Sequence, residues 1–293
     1  MSCVRIILIS FGILCLGLTI AQTEPIALTH ATIINPATDT VLQDATLVVD
    51  GNKIAAVGSA NEVKIPAGAR TIESRGRFIL PGYIDSHVHF FQSGDLFTRP
   101  DVVDLNSVRP YKEEIEWVKS HLEDVFTRYL RSGITSVIDV GGPMWNFEVR
   151  AKANSLNKAP RVAVAGPLIS SVARPQLDLG DPPIVQIETP EKGREFVRQL
   201  AAKKPDYIKI WYIVPPPSPA SSPGASPLPA QSDVARAALF RPVVRAVIEE
   251  SHAHHLRVAV HATELEAARA AARGRRRPAR AQRNRQTRGP AVR

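Results

Sequence analysis

Two histidines separated by a single residue, His87 and His89, close an apolar run that begins at Phe78 and passes through Leu80, Tyr83 and Ile84. Residues two apart in an extended strand point to the same face, so this spacing sends both imidazoles into one small volume. Neutral imidazoles that converge in this way can hold a divalent metal; the plainer alternative is a pair of polar residues closing a strand. Lys209 is a second signal, set in Asp206-Tyr207-Ile208-Lys209-Ile210-Trp211-Tyr212, where an ammonium is out of place in a strand of buried composition. Burial lowers an amine's basicity. A neutral amine reacts with carbon dioxide to form a carbamate, an anionic oxygen ligand able to bridge two metals. Taken alone, the position also suits a lysine snorkelling past the strand edge; beside the two histidines, the carbamate reading takes precedence. His261 ends a further strand-like run, Val258-Ala259-Val260-His261-Ala262.

The chain carries its own control, a second H-x-H in His252-Ala253-His254-His255. It falls at the end of a helical stretch, where residues two apart diverge, so these side chains read as partners of the helix dipole rather than ligands. His30 and His121 have no converging partner and read as structural or solvent-facing. Tyr212, just past Lys209, either faces a substrate or packs against the neighbouring helix.

The elements that must position these groups form two blocks. From about Pro25 to Phe78 the chain reads as short strands and turns, with Asp50-Gly51-Asn52 a hairpin signal between Thr46–Val49 and Ile54–Val57. This block suggests a small β-sandwich. After Leu80 strands alternate with helices, the rhythm of a parallel α/β sheet. The expected strands are Ile84–Phe90, Thr135–Val140, Arg161–Ala165, Tyr207–Ile213 and Arg257–Ala262, with one helix over Glu113–Ser132 stopped by Gly133. Residues 167–183 carry no decodable pattern. Residues 214–231 hold seven prolines and read as an irregular exposed loop, either a lid or a solvated insertion.

The first 21 residues read as a cleaved export signal: Ile6–Ile20 is almost wholly apolar but, at about 1.5 Å per residue, too short to span a bilayer core of about 30 Å. An uncleaved anchor is the alternative. The expected location is secreted or periplasmic, with no membrane association after cleavage. Both cysteines, Cys3 and Cys15, lie in this segment, so a mature chain has neither disulfides nor thiolate ligands. The net charge of +9 resides in nine arginines between Arg273 and Arg293, leaving a neutral body. That arrangement argues against a nucleic-acid-binding domain, and the tail has no aromatic residues to stack on bases. Its composition, rich in Arg and free of Lys, matches out-of-frame translation of a G+C-rich gene; a basic interaction tail is the rival.

The run Pro81-Gly82 through Asp85-x-His87-x-His89, with Ile208-Lys209-Ile210-Trp211 and Val260-His261-Ala262, resembles the amidohydrolase superfamily, particularly its imidazolonepropionase-like and metal-dependent prolidase branch. The resemblance runs from about residue 25 to Ala272. It implies an α/β fold, an incomplete (β/α)8 TIM-type barrel with five of eight strands, preceded by the small N-terminal β-sandwich. The domains would be 1–21 signal, 25–78 sandwich, 79–272 partial barrel and 273–293 tail. It further implies that His87 and His89 bind one metal, carboxylated Lys209 bridges two, and His261 binds the second. The metal would be zinc, as one or two ions. The expected substrate is a small molecule or peptide whose carbon–nitrogen bond (amide, cyclic amide or dipeptide) is hydrolysed. A homo-oligomer is compatible with the sequence. The family's sixth-strand histidine and eighth-strand aspartate have no counterparts after His261, so the chain as written is expected to be inactive. The rival readings are a non-catalytic metal- or ligand-binding fragment and an interaction module using the basic tail.

Overall fold

The computed structural model describes residues 24–92, 102–213, 233–262 and 265–274. The expected signal segment with both cysteines, the proline-rich stretch and the tail beyond Gly274 lie outside the described residues. The chain divides into two compact units, Met1–Pro81 and Gly82–Arg293.

In the first unit, β1 (Ile26–Asn35), β2 (Thr40–Asp50), β3 (Lys53–Ser59) and β4 (Arg70–Glu73) pair in the order β3-β2-β1-β4, and β5 (Phe78–Ile79) pairs with β1. Asp50 pairs with Lys53, so Gly51 and Asn52 form the hairpin loop, with Gly51 at φ +57°. This matches the positive-φ turn that Asp-Gly signals. A small core of Ala31, Ile33, Ala45 and Leu47 covers β1 and β2, while Ile54, Val57 and Phe78 stay exposed. The two facing layers of a sandwich are not seen: these strands form one five-stranded sheet among the described residues. Because β1 accepts partners along both edges, the strands extend a single layer instead of dividing into two.

The second unit alternates parallel strands with helices. Its elements are β6 (Tyr83–Val88), α1 (Tyr111–Ser120), α2 (Leu122–Arg131), β7 (Ile134–Asp139), α3 (Asn146–Ser155), β8 (Arg161–Val164), β9 (Leu168–Ser170), β10 (Ile184–Gln186), α4 (Pro190–Ala202), β11 (Ile208–Tyr212), α5 (Asp233–Ala253), β12 (Val258–Ala262) and α6 (Leu265–Gly274). They build two parallel sheets, β6-β7-β8 and β10-β9-β11-β12. No strand pairing joins the sheets among the described residues, so they do not close into a barrel there. Each sheet has its own helix-covered core. Val88, Phe90, Phe126, Val137 and Val149 pack in the first, and Ile169, Leu200, Ile208, Ile210, Val244 and Val247 in the second.

Two expectations change here. The single helix over Glu113–Ser132 is two helices meeting at His121. Ser120 Oγ donates to Glu116 O and Trp117 O, and the His121 ring stacks on Trp117 at 4.3 Å while its Nδ1 bonds the same Trp117 carbonyl. These side chains compete with the backbone for helix carbonyls and break the helix. The five expected strands become seven, because β9 forms within the patternless stretch 167–183 and β10 directly after it. Three residues are too few to display a strand's alternation. The stop at Gly133 agrees with expectation, since it follows α2 at φ +77°. At the start of α4, Thr189 accepts from Lys192 N at 3.3 Å ahead of Pro190.

Candidate functional site

His87, His89, Lys209 and His261 line one cavity of about 470 Å³, with Phe91, Leu168, Leu177, Ile184, Trp211 and Ile213 among its walls. The four chemically interesting residues picked from the sequence therefore come together, although they sit on strands of two different sheets. Period-two geometry explains how. Along β11, Lys209 and Trp211 face the cavity, as does Ile213 beyond it, while Ile208, Ile210 and Tyr212 face the helix-packed core. On β12, His261 stands in register with Trp211, their rings 6.3 Å apart.

The first-strand pair is more irregular than a flat strand would give. The β6–β7 register slips between Asp85 and Val88, and Asp85 Oδ1 accepts from His87 N at 3.2 Å. Within the D-x-H-x-H run, the aspartate thus shapes the backbone. The rings of His87 and His89 meet edge to face at 5.5 Å. His89 Nδ1 donates to Gly141 O at 2.6 Å. A carbonyl only accepts, so Nδ1 carries the proton and neutral His89 keeps its lone pair on Nε2, the arrangement found in metal-ligating histidines. Burial is the main cause that pushes His89 down to about 4, with the charges of His87, Lys209 and His261 acting in the same direction and the Gly141 bond opposing them. Lys209 is 5% exposed, and burial likewise pushes its amine below the ordinary lysine range. Among the described residues it has no carboxylate partner. Near the cavity, Arg174 places its guanidinium over the Trp211 ring at 4.8 Å.

Tyr212 is not at the cavity. It lies three residues from Lys209, an odd offset that turns it to the opposite face, where it is fully buried, donates to Ala237 O and packs against Phe240 at 5.3 Å. Of the two placements open for it, the structure shows the one against the helix. The control histidines stay away from the cavity as well. His254 pairs with Glu250 at 3.5 Å, His252 is exposed, His121 stacks on Trp117, and His30 bonds Asp44 at 2.6 Å. No group of three or more His, Cys, Asp or Glu arranged to hold a metal occurs among the described residues.

Asp139, at the end of β7, is a residue that sequence reasoning missed. It is fully buried, and burial pushes its carboxyl up to about 7 against the opposing pull of the backbone N–H donors of Phe90 and Gly141 and of the Asn146 side chain. An acid closing an apolar strand just before Gly141-Gly142 was the available signal. Trp211 was missed too, although its even offset from Lys209 marks it as a cavity residue.

The sequence profile described as Amidohydrolase family matches residues 78–277. The imidazolonepropionase of Paenarthrobacter aurescens (strain TC1) is 44% identical over 55 residues, covering 19% of this chain and 13% of that protein. The enamidase of Eubacterium barkeri is 29% identical over 125 residues, covering 43% of this chain and 26% of that protein. A putative prolidase from Bifidobacterium longum superposes with a TM-score of 0.56 at 22% identity, covering 85% of this chain and 52% of the other. At that identity the likeness shows the fold alone. The matches thus span from about an eighth to about half of the other proteins' lengths.

Proposed function

Because the chain belongs to the amidohydrolase family, we propose that its cavity is the metal-binding part of a hydrolase acting on a carbon–nitrogen bond in an amide, cyclic amide or dipeptide. The observation that carries this reading is the meeting of His87, His89, Lys209 and His261 on one cavity wall system. The residues fit a divalent metal such as zinc. Three imidazoles face the cavity, His89 is held as the Nδ1–H tautomer, and a buried amine of lowered basicity lies among them with no carboxylate partner among the described residues.

On this reading His87, His89 and His261 hold one or two ions, and a bound metal supplies acidification of water and polarisation of the scissile carbonyl. Lys209 adds the missing anionic ligand. Its neutral nitrogen forms a bond to the carbon of carbon dioxide and releases one proton to solvent, leaving a carbamate. Phe91, Leu168, Leu177, Ile184 and Trp211 exclude water and seat the apolar part of a substrate. The two open sheets correspond to part of a (β/α)8 barrel, and residues 1–21 to a signal that exports the chain.

One observation favours a second reading, metal binding without turnover. No Asp or Glu, the side chains that would protonate the leaving nitrogen, lines the cavity among the described residues. The full chain, purified and supplied with Zn²⁺ and bicarbonate, separates the two in one experiment by elemental analysis and a panel of dipeptides and cyclic amides. Bound zinc with hydrolysis supports the hydrolase. Bound zinc without hydrolysis supports the second reading, and a chain that retains no zinc defeats both.

A further inference from the structure

Each carboxylate oxygen of Asp139 accepts from a backbone N–H, and the Asn146 side chain lies beside the same carboxylate. Oδ2 accepts from Phe90 N at 2.8 Å and Oδ1 accepts from Gly141 N at 2.9 Å. Phe90 directly follows His89, and Gly141 is the residue whose carbonyl accepts the His89 Nδ1–H at 2.6 Å. One side chain therefore ties together the backbone beside His89 and the backbone that orients its ring. The circuit has little slack. Gly141 sits at φ +125°, and a Cβ there would fall 2.6 Å from Leu168 Cγ. Phe90 is fully buried, with its ring edge-on to Phe126 at 6.0 Å, and Tyr207 Oη donates to the Asp139 carbonyl at 2.6 Å.

We propose that Asp139 is a positioning residue for the metal centre: by gripping Phe90 N and Gly141 N with one carboxylate, it orients the His89 ring and fixes the Nδ1–H tautomer, so that Nε2 offers its lone pair. The inference rests on the metal-binding role proposed for His89. Asparagine has the same shape but only one acceptor oxygen, and its NH₂ would face a backbone N–H, so D139N opens one side of the grip without emptying the space. Y207F is the matched control. It removes a buried hydrogen bond to the same residue and leaves both carboxylate bonds in place.

The test titrates Co²⁺ into the full chain as wild type, D139N and Y207F, recording dissociation constant, visible ligand-field spectrum and urea midpoint. Loss of a partner that orients a ligating histidine weakens metal binding by about 10- to 100-fold. D139N should show that loss with an altered spectrum, whereas Y207F should lower only the midpoint. Unchanged affinity and spectrum in D139N overturn the proposal, and so does an equal loss in both variants, which marks general loosening. If D139N does not fold, the ¹⁵N imidazole shifts of metal-free wild-type His89 decide. The Nδ1–H tautomer supports the proposal and the Nε2–H tautomer overturns it. A wild type that binds no Co²⁺ defeats the metal reading instead, and the tautomer still decides the grip by itself.

Discussion

His87 and His89 stand at the end of a strand, and His252 and His254 at the end of a helix, with the same single residue between them. On β6 the spacing brings two rings within 5.5 Å on one cavity wall. At the end of α5, where successive residues turn by about 100°, it leaves both side chains exposed, one beside Glu250. The surroundings differ as much as the geometry. Burial first, and then the charges of His87, Lys209 and His261, hold His89 near 4, which keeps it neutral. A ligand pattern thus has meaning only together with the period of its element and the charges opposite it.

The largest expected effect comes from deleting each pair. H87A/H89A should abolish measurable Co²⁺ binding in equilibrium dialysis, while H252A/H254A should leave the dissociation constant within about twofold and stability within about 0.5 kcal/mol. Metal loss of equal size in both double variants would break the comparison.

A second effect concerns pH in the metal-free chain. His89 is lowered from 6.5 to about 4, so the native state binds fewer protons than the unfolded state between those values. Its contribution is complete above about 6.5 and is lost as pH falls through 4. Asp139 is raised from 3.8 to about 7, so its contribution is complete below about 3.8 and is lost as pH rises through 7. The two slopes oppose each other over the same window, each amounting to roughly 3–4 kcal/mol at most. Urea midpoints should therefore fall from pH 4 to 7 in H89N and rise from pH 4 to 6.5 in D139N. Parallel slopes in the two variants would remove the electrostatic half of the comparison.

The smallest effect sharpens the period argument on β11. Y212F removes the hydroxyl bond to Ala237 O on the core face and should cost about 1 kcal/mol in urea unfolding. Metal affinity should not change, and a weakened affinity would mean that the two faces of β11 are not independent.

Much of the site was legible because it depends on strand periodicity and on residues whose chemistry is rare in apolar runs. His87, His89, Lys209 and His261 all stand out against Ile, Val and Ala neighbours. Tyr212 could have been placed by the same rule, since an odd offset from Lys209 changes the face. Other features rest on contacts that no local pattern encodes. The break at His121 depends on Ser120 and His121 capturing helix carbonyls, and the role of Asp139 depends on Phe90, 49 residues away, arriving beside it. β9 and β10 are defined by their neighbours, as three-residue strands must be. The single N-terminal sheet follows from β1 pairing along both edges, which alternation within β1 does not reveal.

Position 141 shows where such a site is most vulnerable to mutational drift. Gly141 presents no side chain to the cavity, yet substitution there meets two separate barriers, a backbone angle that other residues avoid and the body of Leu168. Trimming Leu168 would lift the second barrier and leave the first. A mutation at this glycine would therefore misalign His89 while every cavity-lining residue stayed intact, and no inventory of those residues would reveal the damage.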